Sequence, residues 1–377
     1  MSSRRPYRQV IDGVPRCPWL DPEIFRKNYS FRAANDDVVQ STYPKSGTNW
    51  MMYITQLILK SGEPIDYKEF TRNIRSIEYT DCDDWKAILP VRLFCTHLPL
   101  RKETMNEKAK YVYVARNPWD VCASMYRMLS DVSIYRFQDG KFEDLFQAFI
   151  ESDLGYGDYF DHVSSGYGLK DEPNVFFVTY EELKLDTRRT VLRLAHFLGE
   201  KYGRALDDNE QILENVLENC KAENMKKTVV FEFSGNDTPD WNDVMTRHKV
   251  TSKHGYEGGK YGRALDDNEQ ILENVLENCK AENMKKTVVF EFSGNDIPEW
   301  NDVMTRHKVT SKHGYEGDKN KFAIVKEARI GSWKDYFTPE MLVRLEKKIQ
   351  EIGVKASFMK LWEDIHEEAI MMSRISA

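Results

Sequence analysis

Val38-Val39-Gln40-Ser41-Thr42-Tyr43-Pro44-Lys45-Ser46-Gly47-Thr48-Asn49-Trp50 is the stretch on which the fold turns. Residues 38–43 are rich in β-branched side chains and read as a short strand. Pro44 and Gly47 break it. Beyond the break, Trp50, Met51, Ile54, Leu57 and Ile58 fall at i, i+1, i+4, i+7 and i+8, one face of a helix. Strand, glycine turn and helix start make a cradle for an anion, because the free amides of the turn and the first helical turn converge. Lys45 adds a positive charge there, and Ser46 and Thr48 add hydroxyl donors. An ordinary strand-to-helix turn is the plainer reading of the same residues. The usual nucleotide loop, Gly-x-x-x-x-Gly-Lys-Ser/Thr, is not what stands here, since Lys45 precedes the single Gly47.

Outward from this stretch, further β-rich runs lie at 93–96, 111–115 and 175–179, with helical patterns between and after them. That alternation predicts an α/β domain with a parallel sheet. Helices are expected over 121–129, 190–198 and 341–352, the last opened by Thr338 and Pro339, and a loop over 234–253. The strand at 111–115 runs into Arg116, and Ser124 follows one to two turns into the next helix. Both can therefore face a ligand beyond the carboxyl end of the sheet, where open α/β folds bind theirs, and an arginine there can grip a phosphate through two parallel bonds. Taken alone, Arg116 could equally pair with Asp120 on the surface.

The chain has 377 residues, 41% of them hydrophobic, which is ample for a buried core and excludes global disorder. Its net charge of −7 comes without a basic stripe, which argues against broad nucleic-acid binding. Neither a secretory leader nor a membrane-spanning apolar run is read in it. Residues 201–259 recur at 260–318 with 56 of 59 positions identical; only Thr238/Ile297, Asp240/Glu299 and Gly259/Asp318 differ. The two copies carry −3 and −4, so the remaining 259 residues are electrically balanced. Stacked arrays need three or more diverged units, so this is read as a tandem duplication with one redundant copy. Looping out the surplus costs about 3–4 kcal/mol in closure entropy. The six cysteines are scattered, two of them copies of one position (Cys220 and Cys279), which fits free thiols in a reducing, cytoplasmic compartment.

The order and spacing of these motifs resemble the cytosolic sulfotransferases. The strings that carry the resemblance are Thr42 to Trp50 and Tyr113 to Val121 with Ser124. Supporting strings are Thr96-His97-Leu98-Pro99, Val178-Thr179-Tyr180-Glu181-Glu182 and Gly331 to Thr338. It covers residues 20–365 apart from one redundant copy. The resemblance implies a single α/β sulfotransferase domain spanning 1–377, with about five parallel strands, similar to the nucleotide kinases. It implies 3′-phosphoadenosine 5′-phosphosulfate (PAPS) as co-substrate, with no metal. Carried over, Lys45, Ser46, Gly47, Thr48 and Asn49 form the phosphosulfate loop. Trp50 and Tyr180 contact adenine, Arg116 and Ser124 hold the 3′-phosphate, and Lys326 keeps one further phosphate contact. His97 matches the family's base, which must take the proton of an acceptor hydroxyl. Lys45, steered by Ser46, stabilises the leaving oxygen.

The sequence departs from the pattern in four places. Cys95 stands where the family commonly has lysine. Lys326-Glu327-Ala328 replaces Arg-Lys-Gly, with Arg329 as a substitute cation. No aromatic lies at 220–225 or 279–284 to sandwich adenine. The dimer motif reads Lys334 to Thr338, then Pro339 and Val343, so a homodimer is possible through a degraded element only. The expected acceptor is a small phenol, catecholamine, amine or steroid, in a pocket for which Tyr79, Phe94, Tyr126 and Tyr135 are candidates. Nucleic-acid and membrane partners are not expected. Two other readings are a PAPS- or PAP-binding protein with little turnover and a small-molecule kinase.

Overall fold

The computed structural model describes residues 4–83, 85–221, 224–225, 289–290, 309–314, 322–323 and 329–374. Lys326, Glu327, Ala328, the loop expected at 234–253 and the segment 279–284 lie outside them. A short hairpin, β1 (Gln9–Ile11) and β2 (Val14–Arg16), precedes α1 (Pro22–Asn28). Then come β3 (Val38–Thr42), α2 (Thr48–Leu59), α3 (Tyr67–Arg72), β4 (Ile74–Ser76), β5 (Leu93–Thr96), β6 (Lys110–Ala115) and α4 (Pro118–Leu129). They are followed by α5 (Phe142–Ile150), α6 (Tyr159–Gly168), β7 (Val175–Thr179), α7 (Tyr180–Leu185) and α8 (Thr187–Leu198). The last are α9 (Glu200–Asp208), α10 (Glu210–Asn219), α11 (Pro339–Ile352) and α12 (Glu363–Ser373).

Five strands form the central sheet in the order β4-β5-β3-β6-β7, every pairing parallel. The chain lays down β3 first, then the edge strand β4 and, between the two, β5, before it crosses to the other side with β6 and β7. The reversal falls at β3, so the crevice at its carboxyl end is the expected ligand position of an open α/β sheet. The strand β4, Ile-Arg-Ser, carries no apolar run and was not legible; pairing with β5 makes it a strand.

Alternation along the strands divides the core. Val39, Tyr111, Tyr113 and Ala115 face a cluster that includes residues of α4, α5, α6 and α11. Val38, Val112, Val114 and Val178 face α2, α8, α9 and α10. The stripe expected on α2 is buried, but so are Thr55 and Gln56 on its other side. Their polarity is satisfied internally: Thr55 Oγ1 donates to the Met51 carbonyl, and Gln56 bonds Phe70 O and Asn73 Nδ2. The apolar core therefore closes over a helix that its sequence shows as amphipathic.

The repeat contributes from both copies. Helices α9 and α10, from the first copy, bury Leu206, Leu213 and Val216. Residues 309–314, from the second, dock beside Asp131. Ser311 Oγ donates to Asp131 Oδ2 at 2.9 Å, the His313 amide to Oδ1 at 3.0 Å and the Lys312 amide to the Asp131 carbonyl at 2.8 Å. Asp131 and Ser311 are both about 1% exposed, and Val309 enters the core.

Candidate active site

The parallel strands deliver their carboxyl ends to one edge of the sheet. Lys45 follows β3, His97 follows β5, Arg116 follows β6 and Tyr180 follows β7. The turn after β3 is tight: Lys45 adopts φ 70° and Gly47 φ 104°, and Gly47 caps α2 with its backbone alone. A Cβ on Gly47 would stand 2.9 Å from the Tyr180 ring, so only glycine fits there. Thr48 opens α2; its hydroxyl meets that of Thr42 at 2.7 Å, and its carbonyl accepts from Gln40 at 2.9 Å. Asn49 follows, half-buried. Ser46 is wholly buried, and its Oγ has no hydrogen-bond partner among the described residues. Such a group costs about 1–3 kcal/mol unless a ligand completes it.

Arg116 lies opposite. Its Nη1 donates to the Lys45 carbonyl and Nη2 to the Arg329 carbonyl, each at 3.2 Å, and its guanidinium stacks 4.3 Å from the Tyr180 centroid. The pairing with Asp120 exists, at 3.7 Å, but it is buried and not a surface contact. Arg116 Nε is buried and has no partner among the described residues. Behind it, Asp120 accepts the Gly331 and Trp333 amides and the Ser332 hydroxyl. Glu181 accepts from Asn117 and Trp362. Ser124 sits half-buried on α4. Arg329 does reach this corner, but through its carbonyl; its guanidinium pairs with Asp335, so it is not a free substitute cation.

Trp50 meets Tyr180 edge-on at 5.6 Å, and its Nε1–H donates to the Cys220 carbonyl at 3.2 Å. Cys220 belongs to the first repeat copy, which thus adjoins Trp50; its counterpart Cys279 lies outside the described residues.

His97 Nδ1–H donates to the Thr42 carbonyl at 2.8 Å, which fixes the tautomer and leaves Nε2 carrying the lone pair. Nε2 makes no hydrogen bond among the described residues. Burial pushes the imidazole down to about 4, and the nearby charge of Lys45 adds to the effect. It is therefore neutral and basic at Nε2 at neutral pH. Cys95, partly buried two residues earlier, is pushed up to about 12 by burial and supplies no charge.

Three neighbours of the base carry no sequence signal. His162, buried on α6, donates from Nε2 to the His97 carbonyl at 3.2 Å and meets the Tyr113 hydroxyl through Nδ1 at 2.6 Å. Tyr156 packs edge-on to the His97 ring at 6.2 Å. Glu78 accepts the His97 amide at 2.5 Å. Of the acceptor-pocket candidates, Tyr79 and Tyr135 meet near Tyr156: the Cys17 thiol lies 2.9 Å from the Tyr156 hydroxyl and 3.9 Å from each of the other two. Phe94 is buried between Phe31 and Trp85, while Tyr126 is half-buried among Phe137, Phe142 and Tyr336. Among the described residues no cluster of three His, Cys, Asp or Glu could hold a metal, and no helix is long and apolar enough to cross a membrane.

A family model described as the sulfotransferase domain matches residues 35–256. Sulfotransferase 2A1 of Macaca fascicularis is 33% identical over 239 residues, covering 59% of this chain and 79% of the relative. The 3-alpha-hydroxysteroid sulfotransferase of Cavia porcellus is 32% identical over 215 residues, covering 53% of this chain and 71% of the relative. The crystal structure of mouse sulfotransferase SULT7A1 complexed with PAP shares the fold, with a TM-score of 0.55 at 19% identity and coverage of 96% of this chain and 99% of that one. Motif order, sheet topology and these matches agree: the chain belongs to the sulfotransferase family of enzymes.

Proposed function

We propose that the chain transfers a sulfonate group from 3′-phosphoadenosine 5′-phosphosulfate to the hydroxyl or amine of a small acceptor. The observation that carries this reading is the pair of buried, unpartnered donors, Ser46 Oγ and Arg116 Nε, at the carboxyl end of the sheet around β3. Two such donors about one anionic ligand fit a nucleotide with phosphate groups at both ends. The donor supplies the sulfonate and the oxygen that leaves it. Lys45, Ser46, Gly47, Thr48 and Asn49 hold its 5′ end through the turn amides and side chains. Trp50 and Tyr180 take the base, while Arg116 and Ser124, with Lys326, take the 3′-phosphate. His97 Nε2 receives the acceptor's proton, and Lys45 offers positive charge where the leaving oxygen gains negative charge. The name of the Cavia porcellus relative puts a hydroxysteroid first in an acceptor panel, beside phenols and catecholamines. The buried or half-buried free thiols among the described residues support a cytoplasmic setting.

A PAP-binding protein with little turnover is the second reading, favoured by Cys95, which brings no cation to the reacting centre. Sulfonate transfer from PAPS to that panel separates the two. Transfer that disappears in both His97→Ala and Lys45→Ala establishes the enzyme reading. PAP binding without transfer to any acceptor establishes the other.

A further inference from the structure

The turn that follows β4 brings a carboxyl group to the back of the base. Ser76 O accepts the amides of Tyr79 and Thr80 and the Thr80 hydroxyl, while Asn28 Nδ2 ties the carbonyls of Ile77 and Thr80. Glu78 is thereby fixed inward, about 4% exposed. Its Oε1 accepts the His97 amide at 2.5 Å; its Oε2 has no hydrogen-bond partner among the described residues. A buried carboxyl with one idle oxygen is a poor structural choice, because a neutral acceptor would hold the same amide without the cost of hiding a charge. An ionised carboxylate differs in making the stronger bond to an amide. On the other side of His97, the Leu98 amide and carbonyl are held by Thr96 Oγ1 and Ser41 Oγ.

We propose that Glu78 is a positioning residue of the reaction, its carboxylate gripping the His97 main chain so that the imidazole, anchored at Thr42, presents Nε2 to the acceptor. The proposal rests on the reading of His97 as the base. Glu78 acts through the backbone and not by its field: burial and Lys45 are what lower the imidazole's affinity for protons. Burial pushes the Glu78 carboxyl up to about 7, against the pull of the His97 amide first and then of the Thr96 hydroxyl and the Glu78 and Leu98 amides. The other titratable groups that face it are Tyr79, Cys82 and Cys95; those that face His97 are Lys45 and His162. An inflection of activity near neutrality thus belongs to Glu78, since His97 itself titrates far lower.

The test uses the full chain with Glu78→Gln and Glu78→Ala. In the wild type, kcat should rise with pH through about 7 as the grip becomes charge-assisted. Glu78→Gln should lose that inflection and stay flat. Glu78→Ala should lower kcat about tenfold or more at little cost in donor KM, a share of the 10²–10⁴ that a positioned base contributes. A Gln variant that keeps the wild-type inflection, or an Ala variant with wild-type kcat, overturns the proposal. Should Glu78→Ala not fold, the isosteric Gln variant decides alone. The His97 ring resonances in the resting protein add a readout free of turnover: they should shift near pH 7 in the wild type and not in Glu78→Gln. If no sulfonate transfer is found at all, the base reading fails, and those resonances still decide whether Glu78 governs the imidazole.

Discussion

Behind Arg116 the carboxylate oxygens of Asp120 and Glu181 are all engaged, by Asn117, Gly331, Ser332, Trp333 and Trp362. At the ends of β3 and β6, Ser46 Oγ and Arg116 Nε are buried without partners among the described residues, as is Glu78 Oε2 behind His97, whose Nε2 makes no hydrogen bond among them. Both regions are polar and enclosed, so burial alone does not separate scaffold from site. What separates them is the satisfaction of the carboxylates on one side against the idle donors on the other, although Trp333 Nε1 on the closed side is also buried without a partner among the described residues. A closed network specifies where the strand ends go, whereas idle donors and acceptors lower stability and persist where a ligand completes them.

The sharpest way to break this contrast is His97→Ala. On the open side it should lower kcat by about 10²–10⁴ with little change in melting temperature. Asp120→Ala strikes the closed side. It strands Arg116 and breaks the bonds of four donors, Asn117 Nδ2, the Gly331 and Trp333 amides and the Ser332 hydroxyl, so it should cost about 3–5 kcal/mol of stability by denaturant titration. Ser46→Ala tests the idle hydroxyl itself: the PAP-free protein should keep or gain up to about 1 kcal/mol, while PAP binds more weakly. A loss of stability without PAP would show that Ser46 belongs to the scaffold.

Acid sharpens the comparison from another side. His97 and His162 are lowered from 6.5 to about 4 and about 3 by burial, so their contribution is complete above 6.5 and is lost as pH falls toward those values. Glu78 has the opposite sign: raised from 4.5 to about 7, it favours folding below 4.5 and loses that contribution as pH rises to 7. Between 4.5 and 6.5 the two effects oppose, so stability should fall as pH drops below 6.5, and Glu78→Gln should make that fall steeper. The smallest effect is expected from shortening the chain by one repeat period. Deleting 260–318 should leave sulfonate transfer within a factor of a few, because either copy carries the same docking residues.

The loop and the base were legible because each combines a strand end, a breaker and a chemically distinctive residue: Lys45 to Trp50, Thr96-His97-Leu98-Pro99, Arg116. The helices read from 121–129, 190–198 and 341–352 are found as α4, α8 and α11, each starting two or three residues earlier because Asn117, Asp186 and Thr338 cap them. What escaped was non-local. Strand β4 depends on its neighbour, Glu78 on a turn closed by Asn28 from 50 positions away, and His162 on Tyr113 across the sheet. Arg329 and Phe94 show the converse: residue type and position suggested roles without showing the contacts these side chains make, Arg329 with Asp335 and Phe94 with Phe31 and Trp85.

The repeat has a consequence for inheritance. Its head sits under Trp50 and comes from the first copy; its tail sits on Asp131 and comes from the second. Removing one 59-residue period that starts anywhere from 226 to 250 keeps both docked pieces. Every such excision yields the same polypeptide except at the Thr238/Ile297 and Asp240/Glu299 positions, which lie outside the docked pieces. Many different breakpoints in the coding sequence thus lead to one shorter protein, which makes the extra length easy to lose and its original boundary invisible.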